Sequence, residues 1–153
     1  MIITIISLIL EGIVSIYTSN TLFIPLLTLT SFLFLYKKYE KKEDIYFTFI
    51  GIIGIIYDAL YTNIFLLNTF IFLLVGLFIK VLNIYLSHKL TSNIVKLICV
   101  IIFYRLVTYM ILVLLNYLDF NFLIMLKSIY SSILLNIIYL FIITIIDNKI
   151  SSK

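Results

Sequence analysis

Nineteen consecutive residues, Ser128 to Ile146, carry no charge, and that run constrains the fold more than any other feature. A helix of about 20 apolar residues matches a hydrocarbon core of about 30 Å. Similar charge-poor runs recur along the whole chain. Of its 153 residues 64% are apolar and 12% charged, against about 45–50% and about 25% in soluble domains. This balance excludes disorder, a coiled coil and a nucleic-acid-binding domain, and it makes the bilayer the solvent. The length allows at most about six or seven helices with short links. Function then has to sit in the membrane, in short loops or in contacts with other proteins.

Six spans are predicted, at about residues 2–18, 22–36, 45–61, 64–82, 94–117 and 128–146, forming a single transmembrane domain over 1–153. The first two together hold one charge, Glu11. As one helix they would measure about 50 Å, too long for the core. The polar cluster Thr18-Ser19-Asn20-Thr21 and the following Pro25 mark the reversal between them. Thr62-Asn63 predicts a tight turn between spans three and four, and the triplet Thr91-Ser92-Asn93 precedes span five. The second span is short, and it requires either local thinning of the bilayer or Lys37 and Lys38 as snorkelling ends. The start, Met1-Ile2-Ile3-Thr4, has no basic region before its apolar run and reads as a retained first span.

With six spans both ends share a side. That side collects Lys37, Lys38, Lys41, Lys42, Lys80, Lys89, Lys96, Lys149 and Lys153, while the other holds only Lys127. Nine against one predicts cytoplasmic ends by the positive-inside rule. Tyr36, Tyr39, Tyr46 and Tyr85 fall at the inner interface and Tyr17, Tyr61, Tyr117 and Tyr130 at the outer one, the pattern of an aromatic belt. Lys37, Lys38, Lys41 and Lys42 suit an anionic inner leaflet. His88 stands alone in a loop and reads as solvated, and Cys99 is a lone cysteine without a redox partner.

Three charges, Glu11, Asp58 and Arg105, lie well inside spans, and each costs at least about 2.5–3.5 kcal/mol at mid-depth unless satisfied. Glu11 lies about 14 Å and Arg105 about 16 Å from the same side at 1.5 Å per residue. Opposite signs at matching depth predict an interhelical Glu11–Arg105 pair. Asp58 sits near the outer, C-terminal end of span three, where a carboxylate opposes the helix dipole. Tyr61 and Thr62, at i+3 and i+4, are the donors within reach. Gly51, Gly54 and Asp58 share a face, so a second backbone can approach closely just below the acid. Two readings stay open: a glycine packing face with a locally capped acid, or a recognition acid at a close helix crossing.

Catalysis is not expected, and neither is a cofactor. One histidine permits no HExxH, and GxSxG is absent. Tyr57-Asp58 resembles half of an intramembrane aspartyl protease site, but the GxGD half is missing. Asp119, in an outer loop, and Asp147, at an inner end, cannot share a proton with Asp58.

The segment Gly51-Ile52-Ile53-Gly54-Ile55-Ile56-Tyr57-Asp58-Ala59-Leu60-Tyr61-Thr62 resembles the most recognisable stretch of the bacterial rod shape-determining protein family MreD. There a glycine-bearing helix leads to an aspartate. Length, polytopic character and an acid in the first span, here Glu11, agree with the family. One departure is Leu66, where many members have glycine. The resemblance implies a non-catalytic scaffold of the cell-elongation machinery in the bacterial cytoplasmic membrane. It would bind bitopic MreC and help couple MreB filaments to wall-synthesis enzymes. It also implies a six-helix fold like the substrate-binding subunits of energy-coupling-factor vitamin transporters. Such a subunit is the alternative reading. Against it stand a single alanine, Ala59, and outer loops poor in polar donors.

Overall fold

The computed structural model describes residues 1–18, 25–62, 66–87 and 89–151, apart from the side chains of Thr18 and of residues 148–151. Six helices follow one another: α1 (Ile2–Thr18), α2 (Leu27–Tyr39), α3 (Glu43–Tyr61), α4 (Leu67–Tyr85), α5 (Leu90–Leu114) and α6 (Phe122–Ser151). No strand occurs among the described residues. Four helices, α3 to α6, are long and apolar enough to cross a membrane. Only 28–33% of each of those spanning segments is buried within the protein, so the remainder forms an apolar exterior suited to lipid.

α2 is the odd element. Its 13 residues reach only about 20 Å, yet it packs against all five other helices. Every residue from Leu26 to Tyr36 is buried. Thr28, Thr30 and Ser31, which would be costly against lipid, therefore lie inside the bundle. The Ser31 hydroxyl donates to the Thr28 carbonyl at 2.6 Å, and the Thr30 hydroxyl donates to the Leu26 carbonyl at 3.2 Å. Around α2 the neighbouring pairs run α1–α3, α3–α4, α4–α5 and α5–α6. A hydrogen bond of 2.7 Å between the Ser7 and Tyr139 hydroxyls ties α1 to α6. The core is filled by Leu29 and Phe32 of α2 against Ile50, Ile71, Val75, Leu97, Ile101 and Leu140. Phe32 and Phe72 meet edge to face at 5.2 Å, the arrangement that ring quadrupoles favour.

Charged ends gather on one side of the bundle. Lys37 of α2 pairs with Asp147 of α6 at 3.3 Å, and Lys80 of α4 pairs with Glu43 of α3 at 2.6 Å. Lys96 of α5 donates to Asn83 of α4 at 2.5 Å. At the opposite end Tyr109 gathers the α5–α6 loop: its hydroxyl accepts from the Asn121 N–H at 2.7 Å and lies 3.1 Å from the Asp119 carbonyl.

Several boundaries differ from the sequence expectation. α2 begins at Leu27 rather than Leu22 and continues to Tyr39, taking Lys37 and Lys38 into its last turn. Pro25, which lacks an N–H, stands just ahead of that start. α4 begins at Leu67, not Ile64. The triplet Thr91-Ser92-Asn93 lies inside the first turn of α5, and left-handed Asn116 (φ 58°) follows that helix's end. α6 starts six residues early because Asn121 caps it: its side-chain oxygen accepts from the N–H groups of Leu123 (3.0 Å) and Ile124 (3.3 Å). Two tyrosines of the expected inner belt, Tyr36 and Tyr46, are core residues instead, packed edge to face at 5.1 Å. His88, Asn63, Ser19, Asn20, Thr21 and Lys153 lie outside the described residues.

Candidate functional site

Two helices of this bundle start below their neighbours' ends, and a helix start exposes backbone N–H groups that lipid cannot satisfy. Both starts are met by polar side chains from other helices.

The first is α4, met by Asp58 of α3. One carboxylate oxygen, Oδ1, accepts from the Asn68 N–H (3.0 Å), the Asn68 side-chain amide (3.0 Å) and the Thr62 hydroxyl (2.9 Å). The other, Oδ2, accepts from the Thr69 N–H and the Thr69 hydroxyl, both at 2.9 Å. Asp58 thus does for α4 what an N-cap residue does for its own helix, across a turn that includes left-handed Leu66 (φ 64°). Its dipole problem is resolved the same way. The carboxylate lies at the C-terminal end of α3 but also at the positive end of α4, where a negative charge is favoured.

Gly54 lies one helical turn before Asp58. A Cβ on it would fall 2.5 Å from the Thr69 Cα, so only glycine lets α4 start this close to α3. Gly51 differs. A Cβ there would meet nothing within 4 Å. Tyr61, expected to donate to Asp58, instead donates to the Leu8 carbonyl of α1 at 3.0 Å, and its ring fills the space beside Gly12. The acid therefore draws its donors from α4 and Thr62 rather than from its own tyrosine.

The second start is that of α2. Glu11 of α1 accepts from the Thr28 N–H through Oε2 (2.8 Å) and from the Tyr57 hydroxyl through Oε1 (2.8 Å). Asn136 of α6 accepts from the Leu26 N–H at 3.1 Å and from the Thr30 hydroxyl at 3.3 Å. Its own amide donates to the Ser132 carbonyl at 2.5 Å. Ser132 also receives Arg105, from Nε at 3.0 Å and Nη2 at 2.8 Å, and the guanidinium lies 5.8 Å from the centre of the Tyr104 ring, within cation–π range. The Tyr104 hydroxyl donates to Asn68 at 2.9 Å. Polar contacts therefore link the two helix starts through the bundle interior, by way of Asn68, Tyr104, Arg105, Ser132 and Asn136.

The Glu11–Arg105 ion pair does not form. Glu11 turns to the start of α2, which offers an N–H and a positive dipole end at the same depth, and Arg105 turns to α6. Reading along the chain missed Asn68, Thr69, Tyr104, Ser132 and Asn136. The visible signal for Asn136 was an amide in the middle of an otherwise lipid-like run. No cluster of three or more His, Cys, Asp or Glu suited to a metal occurs among the described residues. Near the end opposite the lysines, a cavity of about 360 Å³ opens among Tyr57, Tyr61, Asn68, Tyr104, Thr108 and Tyr117.

Compared with known proteins, the chain matches no family model, no curated protein and no solved structure.

Proposed function

We propose that this chain is a non-catalytic scaffold of the bacterial cell-elongation machinery, similar to MreD. It would lie in the cytoplasmic membrane with both ends inside, bind a bitopic MreC-like protein, and help couple MreB filaments to peptidoglycan synthesis. The observation that supports this most is the state of its buried acids. Asp58 accepts five hydrogen bonds and Glu11 accepts two, each engaging a backbone N–H at a neighbouring helix start. Acids held this way lock helices in place, a use that suits a scaffold. The lysine-rich end, facing the cytosol, suits anionic lipid.

The test is co-purification from cells that express the tagged chain and the MreC-like protein of the same organism. The expected result is stable capture, weakened by Asp58→Ala while membrane insertion persists. Failure to capture the partner with the unaltered chain would refute the proposal. A second reading, the substrate-binding subunit of an energy-coupling-factor vitamin transporter, is favoured by the tyrosine-lined cavity of about 360 Å³, a size that suits a small molecule. Nanomolar binding of a vitamin to the purified chain would replace the scaffold with that reading.

A further inference from the structure

Four tyrosines, Tyr57, Tyr61, Tyr104 and Tyr117, line the cavity of about 360 Å³ at the end opposite the lysines, together with Leu67 and Leu112. Tyr104 is buried, whereas Tyr61 and Tyr117 are exposed, so the rings run from floor to mouth. We propose that this cavity is a binding site for a small organic ammonium ion, held against the tyrosine rings and hydrogen-bonded to Thr108.

The hydrogen bonds of the wall decide the sign of the ligand. Three of the four tyrosines donate their hydroxyls elsewhere: Tyr57 to Glu11 at 2.8 Å, Tyr61 to the Leu8 carbonyl at 3.0 Å and Tyr104 to Asn68 at 2.9 Å. Asn68, also in the wall, gives its backbone N–H and its side-chain amide to Asp58, each at 3.0 Å. The Thr62 hydroxyl goes to the same carboxylate at 2.9 Å. A bound carboxylate or phosphate needs such donors turned toward it. Here they serve the protein's own acids and backbone. What the tyrosines have left to offer is their rings, whose negative faces attract cations.

The charges behind the wall have the same preference. Two carboxylates, Glu11 and Asp58, are hydrogen-bonded directly to it. Arg105 is the cation that reaches it, 5.8 Å from the centre of the Tyr104 ring, and its hydrogen bonds go to Ser132 of α6. The formal balance is negative, and one ring of this wall already holds a cation.

Two further features point to a ligand. The Thr108 hydroxyl oxygen, on a residue that lines the cavity, is buried without a hydrogen bond, and a ligand's N–H or O–H would satisfy it. Tyr117 is fixed by backbone bonds. Its N–H donates to the Leu112 carbonyl at 2.9 Å and the Asn116 N–H to the Val113 carbonyl at 3.0 Å, with Asn116 left-handed (φ 58°). This is a Schellman helix end, and it folds Tyr117 back over the end of α5, where it joins Leu112 in the wall.

The inference is independent of the scaffold reading, and it narrows the alternative one: a transporter subunit built on this cavity would carry a cation. The test is calorimetric titration of the purified chain in detergent with choline, and with the uncharged analogue in which carbon replaces the nitrogen. Choline is expected to bind saturably and at least about tenfold more tightly than the analogue, a margin that cation–π contacts supply. Tyr117→Leu is expected to weaken choline about tenfold and Tyr117→Phe to retain its binding. Both should leave the thermal unfolding of the unligated chain unchanged, because Tyr117 is exposed. Thr108→Val is expected to weaken choline about threefold. No saturable binding at millimolar choline, equal affinity for the analogue, or unaltered binding by Tyr117→Leu would each overturn the proposal. None of these results depends on capture of the MreC-like protein.

Discussion

Asp58 and Glu11 are both buried acids that complete the start of another helix, yet they are built differently. Asp58 acts on residues 10 and 11 positions further along, in the next helix, which packs directly against α3, and both its oxygens are saturated. Glu11 acts on Thr28, 17 positions away, and shares the task with Asn136, which lies 110 positions from Leu26. One start is closed by a local motif, Gly54-x-x-x-Asp58 against Asn68-Thr69. The other is assembled only when α1, α2 and α6 have come together. A short interior helix needs this second arrangement, because lipid offers its N–H groups nothing and its own sequence supplies no capping side chain.

The sharpest way to break the comparison is Asp58→Ala. It orphans two backbone N–H groups at about 1–3 kcal/mol each, so a loss of about 3–4 kcal/mol is expected in thermal or denaturant unfolding in detergent. Gly54→Ala comes next. It forces a methyl group into the Thr69 backbone, and about 2–3 kcal/mol of overpacking cost is expected by the same assay, whereas Gly51→Ala should stay within about 0.5 kcal/mol. Equal effects at the two glycines would show that α4 does not approach α3 at Gly54. For the assembled start, Glu11→Ala and Asn136→Ala are each expected to cost about 1–2 kcal/mol. Because both serve α2, a double-mutant cycle should give a coupling of at least about 0.5 kcal/mol, and strict additivity would separate their roles. Of the substitutions at the two acids, the smallest effect is expected from Glu11→Gln. The amide oxygen can still accept one hydrogen bond, so the loss should be near the helix-dipole contribution of about 0.3–1 kcal/mol.

The candidate site was partly legible in the sequence. An aspartate one turn after a glycine in an apolar helix is conspicuous because each is unusual there, and the shared face follows from helical periodicity alone. Its partners were not legible. Tyr61 and Thr62 were both within helical reach, and choosing between them required knowing that α1 presents the Leu8 carbonyl to Tyr61. The Glu11–Arg105 pairing had matching depth and opposite sign, but depth is one coordinate of three. Rotation about each helix axis sent Glu11 to α2 and Arg105 to α6.

From residue order alone came the solvent and the secondary structure: uncharged apolar runs must be helical in lipid, since no other local structure satisfies its own backbone there, and lysines sort to one end. Tertiary packing decided which helix is central. When nearly every position is apolar, periodicity cannot distinguish a lipid-facing surface from a bundle-facing one. The buried threonines and serine of α2 acquired meaning only once five helices had closed around it.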